Sequence, residues 1–289
     1  MDGAATWSPL VLARSEGSEP PLFVVHDVGG EVVYTRLLAT LLPEGFPIYG
    51  LRGQALQGRM IPERSIEELA GRYAAAMRTV SPHGPYRLYG ASAGGTIAFE
   101  IARQLRRAGE DVPVLVLGDS IAPGTPMKWG RSERAAARAR ELKELPVGAA
   151  SRYVLRIAAR QLAFRAHRVS ARVTGDVRSD RARRAADNEL MQAAAKGGTA
   201  VPPALRTSFA VLVYGWMTVA YKPDSPYDGP LTVLRCPESR LPVEPWNRYV
   251  TSPAKQVPVS RRHIDLGTEA AVREVAAVLT TEIGLAANG

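Results

Sequence analysis

The stretch RLYGASAGGTIAFEIARQL, residues 87–105, sets a single serine, Ser92, between glycines, with an apolar strand pattern before it and a helical pattern after it. A serine hydroxyl is a weak nucleophile until a neighbouring base takes its proton and a third group orients that base. A strand that turns at once into a helix forces its turn residue into a strained backbone conformation, and side chains on the flanking residues would collide there. The strain lifts Ser92 Oγ from the C-terminal edge of the sheet. The helix that follows aims its first amides and its positive dipole end at the same place. The chemistry this supports is acyl transfer through a serine-linked intermediate.

In such strand-turn-helix arrangements the acid and the histidine follow the nucleophile in that chain order. The chain has four histidines, and His26 and His83 precede Ser92. His167 falls in a basic helical stretch, whereas His263 comes just after the last strand pattern and before the last helix, so His263 is the expected base. Asp119 ends the apolar run VPVLVLGD at the same sheet edge as Ser92 and is the expected acid. Asp265 is its rival; it shares a loop with His263 and reads more simply as a helix-start residue. An oxyanion formed by attack on a carbonyl needs backbone donors. The amide of Ala93 is one, and the amide of Val28, in the loop HDVGG at 26–30, is the other candidate. Gly29 lets backbone approach substrate closely, and Asp27 and Ala91 are expected beside it. His26, at a strand end, reads as structural.

The elements that must hold these groups follow from periodicity. PLFVVH (21–26), PIYGL (47–51), YRLYG (86–90), VPVLVLGD (112–119), LTVLRC (231–236) and KQVPVS (255–260) are short apolar runs, the pattern of strands buried on both faces of a parallel sheet. Helical patterns alternate with them. Ser65-Ile66-Glu67-Glu68 is a capping box, after which Ile66, Leu69, Tyr73, Met77 and Val80 line one face. Ile97, Ile101 and Leu105 do the same after the serine motif, and TEAAVREVAAVLTTEI is a last helix. This alternation predicts a mostly parallel, doubly wound α/β sheet. It stops at about residues 122–228, which read as a helical insertion, a lid, between core segments 8–121 and 229–284 of one domain.

Composition bounds the alternatives. In 289 residues, 46% are hydrophobic and 22% charged, ordinary for a soluble globular chain. Cys236 is the only cysteine, which excludes an internal disulfide, fits a reducing cytoplasm and reads as a small buried hydrophobe. The N-terminus MDGAATWSPL lacks the pattern of a secretory signal, and FAVLVYGWMTVAY is too short to span a bilayer and reads as a buried helix. Residues 128–184 carry 16 basic and 5 acidic residues, net +11, against 21 basic and 23 acidic elsewhere, net −2. Within that segment Arg152, Arg156 and Arg160 share a helical face by their spacing of four. Such a segment can face nucleic acid, a membrane or an acidic protein, or simply be a solvated helical face.

On these residues the chain resembles the thioesterase domains that close nonribosomal peptide and polyketide assembly lines, members of the α/β-hydrolase superfamily. The resemblance rests on PLFVVHDVGG, similar to that family's H-P-x-G-G opening, and on SIEELAGRYAAAMR, GPYRLYGASAGGTIAFEIARQLRRAGEDV, VLGDS and the late His263. The doubled glycine of GASAGG is closer to the terminating domains than to stand-alone editing thioesterases, which more often read G-H-S-M-G-A. The resemblance implies that Ser92 takes an acyl or peptidyl group from the phosphopantetheine arm of a carrier protein, then releases it to water or to an internal hydroxyl or amine. It implies no bound cofactor or metal and no nucleic-acid partner. It also implies an acidic carrier that the Arg152, Arg156 and Arg160 stripe would face. Two positions depart from the pattern. Ala91 stands where Trp, Tyr or His is common, which opens space beside Ser92. Asp27 stands where Pro is usual, and a carboxylate near a developing oxyanion is unfavourable unless it turns away. The alternatives are a stand-alone editing thioesterase, a small-ester hydrolase, and a binding protein on a hydrolase scaffold.

Overall fold

The computed structural model describes residues 7–54, 63, 65–124, 206–237, 244–260, 263 and 267–287. Seven strands form one sheet: β1 (Leu10–Arg14), β2 (Leu22–Val25), β3 (Ile48–Leu51), β4 (Arg87–Ala91), β5 (Val114–Gly118), β6 (Thr232–Arg235) and β7 (Lys255–Pro258). Their order is β1-β3-β2-β4-β5-β6-β7. β1 runs antiparallel to β3, and every other pair is parallel. The helices are α1 (Tyr34–Leu41), α2 (Ile66–Arg78), α3 (Ala93–Arg107), α4 (Arg206–Ala220) and α5 (Glu269–Ala287). The six apolar runs each coincide with a strand of the sheet to within a residue or two, so the mostly parallel α/β architecture agrees with the expectation.

Burial explains why the runs are continuous. β2, β4 and β5 are buried along their whole length. Tyr89, Ala91, Val114, Val116 and Leu234 meet Leu38 of α1 and Val272, Val275 and Leu279 of α5 in one core layer. The alternate residues face the other way, where α2 packs on α3 and α3 packs on β2, β4 and β5. β1 escaped the sequence reading because it is a half-exposed edge strand with a register shift between Leu12 and Arg14. Its Arg14 earns its place through the guanidinium, whose Nη1 donates to the Ala39 and Leu42 carbonyls at 3.0 and 3.1 Å at the end of α1. Those carbonyls have no partner within the helix.

In α2 the Ser65 hydroxyl accepts the Glu68 amide at 3.2 Å, and Ile66, Leu69, Tyr73 and Met77 are buried as expected. Val80 differs: α2 ends at Arg78 with Thr79 as its cap, so Val80 leaves the helical face and is 41% exposed. The chain divides into two compact units, residues 1–126 with 209–289, and residues 127–208. Most of α4, Tyr221 and Tyr227 thus belong to the unit that holds the sheet, although they fall within the segment read as an insertion. Tyr221 shows why: its hydroxyl bonds Glu100 of α3, and Arg103 of α3 reaches Ser225 O at 3.0 Å and Asp224 Oδ1 at 2.5 Å. The second unit, with Arg152, Arg156, Arg160 and His167, lies outside the described residues. Among the described residues no helix is long and apolar enough to cross a membrane.

Candidate active site

β4 delivers Ser92 to the sheet edge at φ 55°, ψ −124°, a region that L-residues rarely adopt, at a cost of roughly 1–3 kcal/mol. The glycines of the motif answer to separate contacts. A Cβ on Gly90 would lie 2.3 Å from Gly94 O, and one on Gly94 would lie 2.2 Å from His26 O. One on Gly95 would lie 1.8 Å from Ser120 Oγ. Gly90 thus lets β4 meet α3, Gly94 lets α3 meet the end of β2, and Gly95 lets it meet the residue after Asp119. The Ser92 amide is taken up by Gly118 O at 2.8 Å, which continues the β4–β5 ladder past the strand end. Ala93 opens α3, so its amide has no intrahelical acceptor, and among the described residues it has no hydrogen-bond partner.

Asp119 follows β5 directly, also at positive φ (46°). Its amide donates to Leu234 O at 2.9 Å, and its Oδ1 accepts the Cys236 amide at 3.4 Å, so β6 helps hold it. The carboxylate is 3% exposed and its Oδ2 lies 2.7 Å from His263 Nδ1. His263 Nε2 lies 3.1 Å from Ser92 Oγ. An ionised carboxylate can only accept, so Nδ1 carries the proton and the lone pair of Nε2 faces the serine hydroxyl. The three residues, 171 positions apart at their extremes, thus form one hydrogen-bonded line. Asp265 lies outside the described residues, and the carboxylate found on Nδ1 is that of Asp119.

The loop after β2 lies beside this line. His26 is fully buried: Nδ1 donates to Asp27 O at 2.5 Å, and Nε2 accepts the Tyr73 hydroxyl at 2.8 Å. Its ring stands 4.5 Å from that of Tyr214, centroid to centroid. Burial lowers its pKa to about 4, so the imidazole is neutral at physiological pH. It is a structural histidine, as its position suggested. Asp27, expected to face substrate, turns its carboxylate back on the loop, where Oδ1 accepts the Gly29 amide at 2.7 Å. Burial raises its pKa, opposed by the amides of Gly29 and Gly30 and by the nearby His263. Gly29 therefore spends its amide within the loop. The Val28 amide has no hydrogen-bond partner among the described residues.

Ala91 differs from the expectation of open space beside the nucleophile. It is buried in the core layer with Tyr89 and Leu234, and a Cβ on Gly118 would come within 3.3 Å of it. Gly118, its register partner on β5, leaves it that room. Tyr73 and Tyr214 were missed as site residues. Their apolar neighbours on α2 and α4 mark core faces, and nothing in the spacing shows that their hydroxyl or ring meets His26.

The thioesterase domain family matches residues 20–208, and the chain belongs to that family. Among curated relatives, malpibaldin synthetase of Mortierella alpina is 39% identical over 117 residues, 40% of this chain and 2% of that protein. The dimodular nonribosomal peptide synthase of Bacillus subtilis (strain 168) is 38% identical over 111 residues, 38% of this chain and 5% of that one. The chain thus spans a small fraction of these relatives. Among solved structures, the NocB thioesterase domain in covalent complex with a fluorophosphonate nocardicin G analog superposes with a TM-score of 0.67 at 22% identity, covering 96% of this chain and 100% of that one. That likeness is one of fold.

Proposed function

We propose that this thioesterase-family chain releases an acyl or peptidyl group from the phosphopantetheine arm of a carrier protein through a Ser92-linked acyl-enzyme. The observation that carries the reading is the line Ser92 Oγ, His263 Nε2 at 3.1 Å, and Asp119 Oδ2 at 2.7 Å from the other ring nitrogen. Ser92 Oγ attacks the thioester carbonyl as Nε2 takes its proton, and the imidazolium that forms is stabilised by Asp119. The carbonyl oxygen becomes an oxyanion facing the Val28 and Ala93 amides. Collapse breaks the C–S bond, and His263 returns its proton to the departing thiolate. Water, or a hydroxyl or amine of the acyl chain, then attacks the ester. His263 takes the proton of that nucleophile and gives it to Ser92 Oγ as the chain leaves. No resident cofactor or metal is needed in any step.

The supports for a carrier-borne substrate are curated relatives such as the dimodular nonribosomal peptide synthase, and the net +11 of residues 128–184, a charge that would attract an acidic carrier. The test has two arms. A fluorophosphonate probe should label the peptide holding Ser92, and Ser92→Ala should neither label nor turn over. A panel of acyl groups is then offered on a carrier protein and on free pantetheine. Reversing Arg152 and Arg156 to Glu should raise the apparent KM for the carrier-bound form at low salt and leave the free thioester unaffected. An active Ser92→Ala variant refutes the mechanism. Equal KM values for the charge-reversed and parent proteins on the carrier-bound form refute the docking role.

A further inference from the structure

The loop 27–30 can be accounted for amide by amide, because each backbone donor near a site is either used or available. The Gly30 amide donates to Asp27 O at 3.1 Å, and the Gly29 amide donates to Asp27 Oδ1 at 2.7 Å. The Val28 amide, like that of Asp27 itself, is left without an acceptor among the described residues. The Asp27 carbonyl also receives His26 Nδ1 at 2.5 Å. In a trans peptide the Val28 N–H points opposite to that carbonyl. Fixing the carbonyl from one side therefore aims the Val28 N–H to the other.

We propose that Asp27 is a positioning residue for the acyl-transfer step, its carboxylate closing the turn on the Gly29 amide so that the free Val28 amide stays fixed in direction. The proposal rests on the reading of Ser92 as nucleophile and of Val28 as an oxyanion donor. Proline at this position fixes φ through its ring. Asp27 instead holds the turn by a hydrogen bond, and Gly30, at φ 86°, completes it. The same bond answers the electrostatic objection to an acid here. The lone pairs of Asp27 are engaged by loop amides, and those amides and His263 oppose the effect of burial on its carboxyl.

The experiment uses the full chain, a soluble acyl-pantetheine thioester and a fluorophosphonate probe. Losing an oxyanion donor outright costs on the order of 10²–10³ in kcat, so loosening one should cost on the order of tenfold. Asp27→Ala should show that loss in kcat with KM within about twofold, because the interaction is made to the transition state. Asp27→Asn keeps an acceptor oxygen and should recover most of the loss. Asp27→Leu, close in shape but without an acceptor, replaces Asp27→Ala if that variant does not fold. The proposal is overturned if the acceptor-free variant keeps the parent kcat, or if Asp27→Asn is as impaired as it. Absence of labelling at Ser92 in the parent protein would instead overturn the functional reading itself.

Discussion

Gly95→Ala tests whether the second glycine of GASAGG is there to let α3 meet the loop that carries Asp119. The added Cβ would lie 1.8 Å from Ser120 Oγ, 2.7 Å from Ser120 Cβ and 2.9 Å from Gly90 O. Rotating the Ser120 hydroxyl removes only the first contact. Ser120 is buried, and its carbonyl accepts Trp246 Nε1 at 3.3 Å, so its backbone is not free to retreat. Overpacking of this kind costs about 1–3 kcal/mol, while exchanging Gly for Ala inside a helix returns about 1 kcal/mol. With three contacts under 3 Å the upper end of that cost applies, so the net should be about 2 kcal/mol of lost stability, or roughly 3–4 °C in Tm at this chain size. The displacement falls on the neighbours of Asp119 and Ser92, so kcat should fall by at least about tenfold. Adding Ser120→Gly removes two of the three contacts. Thermal unfolding and thioester turnover of the four proteins in this cycle should show a favourable coupling of about 1 kcal/mol. A Gly95→Ala protein as stable and active as its parent, or strictly additive effects, would refute the steric account.

Asp119→Asn should fold normally and lose about 10³–10⁴ in kcat, because an amide neither stabilises the imidazolium nor fixes the tautomer; turnover within tenfold of the parent would show that another carboxylate serves His263. His26, with its pKa lowered to about 4 in the folded protein, binds a proton more readily when unfolded. Stability from keeping it neutral is present above pH about 6.5 and is lost as pH falls toward 4, an effect of about 3 kcal/mol. Urea titrations should therefore show a steeper decline over that window in the parent than in His26→Gln, and parallel curves would refute it.

The legible parts of this protein are those in which one physical demand fixes the residue type. A strand buried on both faces must be apolar, and so β2 to β7 could be read, whereas the half-exposed edge β1 carries no such demand. Gly90, Gly94 and Gly95 could be read as a close approach, and Ser92 as the residue lifted by it. Asp119 and His263 followed from their place at strand ends. Residues with two uses were misread. Ala91 has a site address but a packing role, Tyr73 and Tyr214 have core addresses but support His26, and Val80 continues a helical period that the backbone has already left. Asp27 could be flagged as a departure, but the direction of its carboxylate depends on a turn that spacing does not determine.

Ser92 and Asp119 are the two non-glycine residues at positive φ among those described, and they sit at the ends of adjacent strands, where Ala91 pairs with Gly118. Strained backbone persists only where its surroundings over-determine it. Here the determining bonds are identifiable: the Ser92 amide on Gly118 O at 2.8 Å, and the Asp119 amide on Leu234 O at 2.9 Å. Each extends the ladder one residue beyond its strand, so the sheet itself holds both residues in place. Ser92 and Asp119 are thereby fixed to one sheet edge, with Asp119 buried. His263, whose side chain is 44% exposed, comes from outside the sheet and reaches both. That division suits the reaction proposed, since the group that must take up, carry and return a proton is the one least enclosed. The two groups whose separation must not change are tied through neighbouring strands.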